Sequence, residues 1–395
     1  MSHQNIQRLP SVTGAQYDQQ AVTSYLSRIQ AENRNTGFGV CQYAKGPAAP
    51  AYEAMLGGCY SPTQDRVYFA PLAHSLWFYQ DCRDGSVHSY NPGVSITGSY
   101  VGGVYDPVRD RIFWVPQSIS PSTYWHYVDC RTGAVVEYPT GGPSLPGNAM
   151  NGGVYSHTEQ RIYFSPTRTT SSWYYVDCST LVPTVHTYPS PDPVDYNTLG
   201  SCYCPTRDRV YYLPYRGATS TSWYYMDCAT STTGSYPAGS GAVLAAYAGG
   251  AYSPMQDRIY LAPNTQGTQP VWHYIDCGVA DTAVSYTHGA TVTDGPYWGG
   301  VYSPVTNRIY FCPYGQSNQT HWHYVDCNTG NIVAYAHGVA AVQYAYAGGF
   351  FSPSNNRIYF CPLDQSSETN WHYIQEYSNA RVSPALMAGP CFNKT

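Results

Sequence analysis

Three residue types recur along this chain at a fixed interval, and each could do chemistry if it were gathered at one point. Arg66, Arg111, Arg161, Arg209, Arg258, Arg308 and Arg357 form the first series. Seven guanidiniums brought together would capture an anion. His126, His273, His323 and His372 form the second, and convergent histidines bind metal or move protons. Cys82, Cys130, Cys178, Cys228, Cys277 and Cys327 form the third, with disulfides or metal ligation as their possible uses. Outside these series stand the pair Cys202 and Cys204, and the loop carboxylates Asp192 and Asp195 in PDPVD. The carboxylate spacing suits Ca²⁺ but also punctuates a Pro-rich turn.

What these residues can do depends on the elements that carry them. The segment GGVYDPVRDRIFWVP (102–116) recurs as GGVYSHTEQRIYFSP (152–166), GGAYSPMQDRIYLAP (249–263) and GGVYSPVTNRIYFCP (299–313), with diverged copies from Gly57, Gly200 and Gly348. Each is followed by a W-x-Y-x-D-C segment or a close relative. The tryptophans are Trp77, Trp125, Trp173, Trp223, Trp272, Trp322 and Trp371, spaced 48 to 50 residues apart. One repeat predicts four short strands. Strand a holds Gly-Gly-x-Tyr, and S-P-x-x-D/N supplies a turn. Strand b is Arg-Ile-Tyr-Phe, strand c is Trp-His-Tyr-Val-Asp-Cys, and an x-T-G turn leads to strand d. Four-stranded antiparallel units at this period predict an all-β, seven-bladed propeller, because one unit cannot bury its faces alone and seven in a ring can.

That placement decides the chemistry. The arginine opens strand b and Asp81, Asp129, Asp177, Asp227, Asp276 or Asp326 closes strand c, so the two meet within one blade and pin its register. In the seventh copy Gln375 replaces the aspartate. The histidines share one position of strand c in different blades. Sheets pack about 10 Å apart, while ligands sit about 2 Å from a metal, so a shared ion is not expected. The same spacing argues against disulfides between equivalent cysteines, which read instead as free, buried thiols. Cys202-x-Cys204 is too short and isolated to predict zinc. No catalytic residue, metal or cofactor is expected. The G-x-S-x-G, P-loop, H-E-x-x-H and EF-hand patterns are absent from the sequence.

The seventh copy lacks strand d. The segment 37–43 aligns with strand d of the other copies, which predicts that it completes the last blade and closes the ring. The chain divides into an arm (1–36) with a short helix within 15–33, the propeller (37–377) and a tail (378–395). The helical stripe is Val22, Tyr25, Leu26 and Ile29.

The 395 residues include 42 tyrosines and only 11% charged residues, with a net charge of −5. Lys45 and Lys394 are the only lysines. Neither the balance nor any basic run predicts nucleic-acid binding. No apolar stretch approaches the roughly 20 residues of a membrane helix. The first residues lack a signal-peptide pattern, so the expectation is a cytoplasmic origin.

Among the copies the b–c and d–a connections vary most, and in an up-and-down blade they open on the same face. Loops on a rigid scaffold are where partners bind. Tyr124, Arg168, Tyr215, Arg216 and His321 are the aromatic and cationic residues expected there.

The repeat resembles kelch-like and other short-strand propellers in architecture. It departs from kelch in placing Gly-Gly on strand a, and it lacks the W-D and G-H marks of WD40 repeats. It is more similar to Tyr-rich propeller repeats in structural proteins of large DNA viruses and aquatic phages, across residues 37–377. That resemblance implies a non-enzymatic structural or attachment protein, located on a virion, with capsid or tail proteins as partners. A carbohydrate-binding propeller is the alternative, and a metal-dependent hydrolase or lyase is a third reading.

Overall fold

The computed structural model describes residues 26–27, 37–45, 55–72, 76–94, 96, 98–119, 123–140, 148–167, 172–187, 198–279, 281–316, 318–365 and 368–377. They form seven four-stranded antiparallel sheets. The innermost strands, a, of blades 1 to 7 are Met55–Ser61, Tyr100–Asp106, Met150–Ser156, Thr198–Cys204, Tyr247–Ser253, Tyr297–Ser303 and Tyr346–Ser352. Each packs on strand a of the next blade, and the seventh packs on the first. Blade 2 shows the pattern, with Tyr100–Asp106, Arg111–Pro116, Tyr124–Asp129 and Ala134–Pro139 from the inside outward.

The Gly-Gly step explains how seven inner strands fit around one axis. Gly57 has φ +89°, and a Cβ there would come within 2.9 Å of the Gly102 backbone. The register between strands a and b shifts at this step in every blade. The result is a glycine-enabled bulge that strengthens local twist.

Aromatic residues glue the blades. In blades 1, 2, 5 and 6 the strand c tryptophan meets a strand b ring of the next blade at near-perpendicular angles: Trp77 and Trp114 at 6.0 Å, Trp125 and Phe164 at 5.7 Å, Trp272 and Phe311 at 5.9 Å, Trp322 and Phe360 at 5.7 Å. Trp371 of blade 7 meets Phe69 of blade 1 at 6.1 Å, so the same contact crosses the closure. Edge-to-face geometry adds about 0.5–1.5 kcal/mol per pair beyond the buried area.

The N-terminal strand Phe38–Ala44 pairs antiparallel with Asn370–Glu376, with Phe38 opposite Glu376 and Ala44 opposite Asn370. It is the outer strand of blade 7, and the ring closes by this strand. Of the helix expected within 15–33, only Leu26 and Ser27 fall among the described residues; both are helical, and Leu26 is buried in the core cluster that holds Trp322 and Tyr310. The rest of that segment and the tail 378–395 lie outside them. No helix among the described residues is long and apolar enough to cross a membrane.

Candidate binding face

The repeated polar residues form the frame beneath the site. Register places Arg66 opposite Asp81, Arg111 opposite Asp129, Arg161 opposite Asp177, Arg209 opposite Asp227, Arg258 opposite Asp276, Arg308 opposite Asp326 and Arg357 opposite Gln375. The Arg209–Asp227 and Arg258–Asp276 pairs are each 3.3 Å apart, and Arg357 donates to Gln375 at 2.7 Å. Every one of these guanidiniums also lies over the strand c tyrosine of its own blade, at 4.1 to 4.6 Å from the ring centre. Tyr79, Tyr127, Tyr175, Tyr225, Tyr274, Tyr324 and Tyr373 are the platforms. This cation–π layer was not read from the sequence, although the W-x-Y tyrosine is present in every copy. Arg83 and Arg131 add a second cation to Asp81 and Asp129; with the Arg83 hydrogen bond as main cause, the Asp81 carboxyl is held down at about 2.

The histidines do not converge. Each bonds the tyrosine that opens strand a of its own blade: Tyr100 Oη to His126 Nδ1 at 2.5 Å, Tyr297 to His323 at 2.6 Å, Tyr346 to His372 at 2.5 Å, and likewise Tyr247 to His273. In blade 5 the other ring nitrogen lies 3.0 Å from the Ser240 carbonyl, which can only accept. The ring proton is therefore on Nε2, and Nδ1 accepts from the tyrosine. Burial, the largest cause, lowers all four histidines, His323 and His372 to about 4.

The channel is apolar. Leu56, Val101, Asn151, Leu199, Trp298 and Ala347 line it, one from each of six blades. Among these residues Asn151 is the only polar side chain, and Trp298 is by far the largest. Trp298 leads to an aromatic group on the loop face. Its ring centre is 4.9 Å from that of Tyr314, which is 4.9 Å from that of Tyr344. Tyr314 directly follows strand b of blade 6, and Tyr344 lies in the crossover from blade 6 to blade 7. Tyr344 is 47% exposed and adopts φ +60°, a conformation that costs a bulky residue energy. Its N–H donates to the Tyr314 carbonyl at 2.8 Å. Burial, then Tyr344 and then Tyr215, push the Tyr314 hydroxyl up to about 12. Tyr215 belongs to the b–c connection of blade 4, and its influence on Tyr314 of blade 6 is electrostatic.

The structure separates the residues expected on this face. Tyr215 is half-buried, and the exposed Arg216 opens a short 3-10 turn, Arg216–Thr219. Tyr124 and His321 are exposed, but they are the first residues of their c strands and not loop residues; strand c is third from the axis. Arg168, Asp192 and Asp195 lie outside the described residues. Trp298, Tyr314 and Tyr344 were missed, because nothing in a linear pattern distinguishes a tryptophan after Tyr297 from the framework aromatics.

Neither protein-family models nor curated proteins yield a match to this chain. Solved structures do. Hydrazine synthase of Kuenenia stuttgartiensis is similar with a TM-score of 0.60 at 10% identity, covering 86% of this chain and 100% of that one. The Cps50 (Swd1) β-propeller domain of Myceliophteria thermophila is similar with a TM-score of 0.57 at 9% identity, covering 87% and 100%. The RRP9 WD40 repeats give a TM-score of 0.60 at 6% identity, covering 85% and 97%. At such identities the likeness is one of fold: a seven-bladed propeller with WD40-type neighbours.

Proposed function

We propose that this protein is a non-enzymatic scaffold that holds a protein partner on its loop face, at the mouth of the channel. The observation that carries this reading is the Trp298–Tyr314–Tyr344 group, partly exposed, with successive ring centres 4.9 Å apart. Aromatic anchors over an otherwise apolar channel are what a binding hot spot requires. Arg216 and the unevenly varied b–c and d–a loops would supply the surrounding polar contacts, with Arg168 a further candidate. Tyr124 and His321 would extend the surface outward. The chain's WD40-type neighbours are in keeping with a scaffold.

The finer reading is a structural or attachment protein of a virion, bound to capsid or tail proteins. It rests on the resemblance of the Tyr-rich repeat to virion propellers and on the scarcity of lysine. The test is sedimentation of a gentle extract from the native source. Co-migration with a large particle supports the reading, and recovery only as a free chain opposes it.

The same aromatic group favours one second reading, a carbohydrate ligand stacked on Trp298 and Tyr344. A glycan array separates the two. Saturable binding to a defined glycan, lost in Trp298→Ala, would establish the carbohydrate reading.

A further inference from the structure

Every blade seam has a contact beneath the a–b turns. The residue ending strand a faces the residue that follows the strand c aspartate in the next blade. In four seams these are serine and cysteine: Ser61 with Cys130, Ser156 with Cys228, Ser253 with Cys327 and Ser352 with Cys82. In the seam between blades 4 and 5 the serine is replaced by Cys204, which faces Cys277. Both thiols are buried. A carboxylate oxygen of Asp257 and the two sulfurs all lie within 4.8 Å of one another.

That is the donor set of a borderline-soft divalent ion. Zinc takes thiolate at about 2.3 Å and carboxylate at about 2.0–2.2 Å in a tetrahedron, so its ligand atoms sit roughly 3.3–3.8 Å apart. The Cys204 sulfur already lies 3.7 Å from Asp257 Oδ1, and no pair in the set is more than 4.8 Å apart. Asp257 is already oriented. Tyr252 donates to its Oδ1 at 2.6 Å, and Thr206 reaches its two oxygens at 2.7 and 2.9 Å. Hydroxyls that fix a ligating carboxylate are the usual outer support of a metal site. The hydroxyl of the exposed Thr206 also lies 3.1 Å from the Cys204 sulfur, on the solvent side of the cluster where a fourth ligand would approach. Arg207 donates to the Cys277 carbonyl at 2.6 Å and brings positive charge beside the anionic ligands.

We propose that Cys204, Cys277 and Asp257 form a binding site for a zinc-class divalent cation that ties blade 4 to blade 5. On binding, two metal–sulfur bonds and one metal–oxygen bond form. The two thiol protons pass to solvent, and no oxidation state changes. The site is hidden in the sequence because the partner of Cys204 is the thiol of the next blade and not its neighbour Cys202. It does not conflict with the spacing of equivalent cysteines, since Cys204 and Cys277 occupy different positions of the repeat.

The test is a Co²⁺ titration of the full chain kept reduced with a phosphine. The expected result is saturation at one equivalent, a sulfur-to-cobalt charge-transfer band, release of about two protons, and displacement by Zn²⁺. Cys204→Ser gives this seam the serine–cysteine pair found in four others, so that variant is expected to fold. Its melting temperature verifies this. It should lose the band and bind Zn²⁺ at least about 100-fold more weakly. Absence of the band in the native sequence, unchanged binding by Cys204→Ser, or a Cys204–Cys277 disulfide in freshly isolated protein would each overturn the proposal.

Discussion

The Tyr346 hydroxyl lies 2.5 Å from Nδ1 of His372, and the backbone N–H of His372 donates back to the same hydroxyl at 3.0 Å. The pair ties strand a to strand c across strand b in the closing blade, and blades 2, 5 and 6 repeat it. Since the His372 N–H already donates to the Tyr346 oxygen, the hydroxyl is placed to donate to Nδ1, which a neutral imidazole accepts.

A pH dependence follows. The four histidines have folded-state values below the ordinary 6.5, down to about 4 for His323 and His372. The unfolded chain takes up protons that the folded chain refuses. Stability from these groups is complete above pH 6.5 and is lost as the pH falls toward 4. In the Glu376→Gln background, which lacks an opposing buried carboxyl, melting temperature measured from pH 8 to pH 4 should hold steady and then decline through this window. A flat profile would count against the pairing.

Tyrosine and histidine should also be exchangeable only as a pair. The blades without histidine carry Met55 with Phe78, Met150 with Tyr174 and Thr198 with Tyr224. His372→Tyr alone leaves the buried Tyr346 hydroxyl without its acceptor, at a cost of about 1–3 kcal/mol. Adding Tyr346→Met, which reproduces the blade 3 combination, should recover most of that loss. Chemical denaturation of the two variants measures the coupling.

Closure depends on the first strand. Phe38 packs on Tyr310, Tyr324 and Tyr335 of blade 6 at 5.2 to 5.8 Å, besides pairing with Glu376. Deletion of residues 1–43 strips these contacts and exposes the backbone edge of Asn370–Glu376. Loss of cooperative melting, or aggregation, is the expected outcome. An unchanged melting temperature would contradict the closure.

Glu376 stands where other blades have cysteine. It is buried and accepts from Ser303 and, at 2.6 Å, from Thr306. Burial is the main cause that raises its pKa above the ordinary 4.5. A raised folded value means stability that is present below pH 4.5 and lost as the pH climbs through the folded value. Glu376→Gln should remove that loss. Its melting temperature should gain on the native chain with rising pH, and a constant difference across pH 4–8 would argue against it.

Much of this was legible in the sequence, and the reason is repetition. Seven copies of Trp77's motif fix the period, and the Arg-to-Asp interval follows from hairpin register, so Arg258 opposite Asp276 could be read in advance. The Tyr–His pairing was also legible, because tyrosine opens strand a only where histidine stands in strand c, but it requires comparing positions 26 residues apart across copies. The aromatic group was not legible. Trp298, Tyr314 and Tyr344 come from a strand, a b–c connection and a crossover, and only the fold brings them together. Cys204 and Cys277 were hidden for the same reason.

The most direct test of the binding face is the double variant Trp298→Ala with Tyr344→Ala. Its melting temperature should stay within a few degrees of the native value, since Tyr344 is exposed and held at a strained φ. Its co-sedimentation with the native assembly, measured beside the unaltered chain, should fall at least about tenfold, as loss of a hot spot of 2 kcal/mol or more demands. A folded double variant that co-sediments as well as the unaltered chain would contradict the assignment of this face.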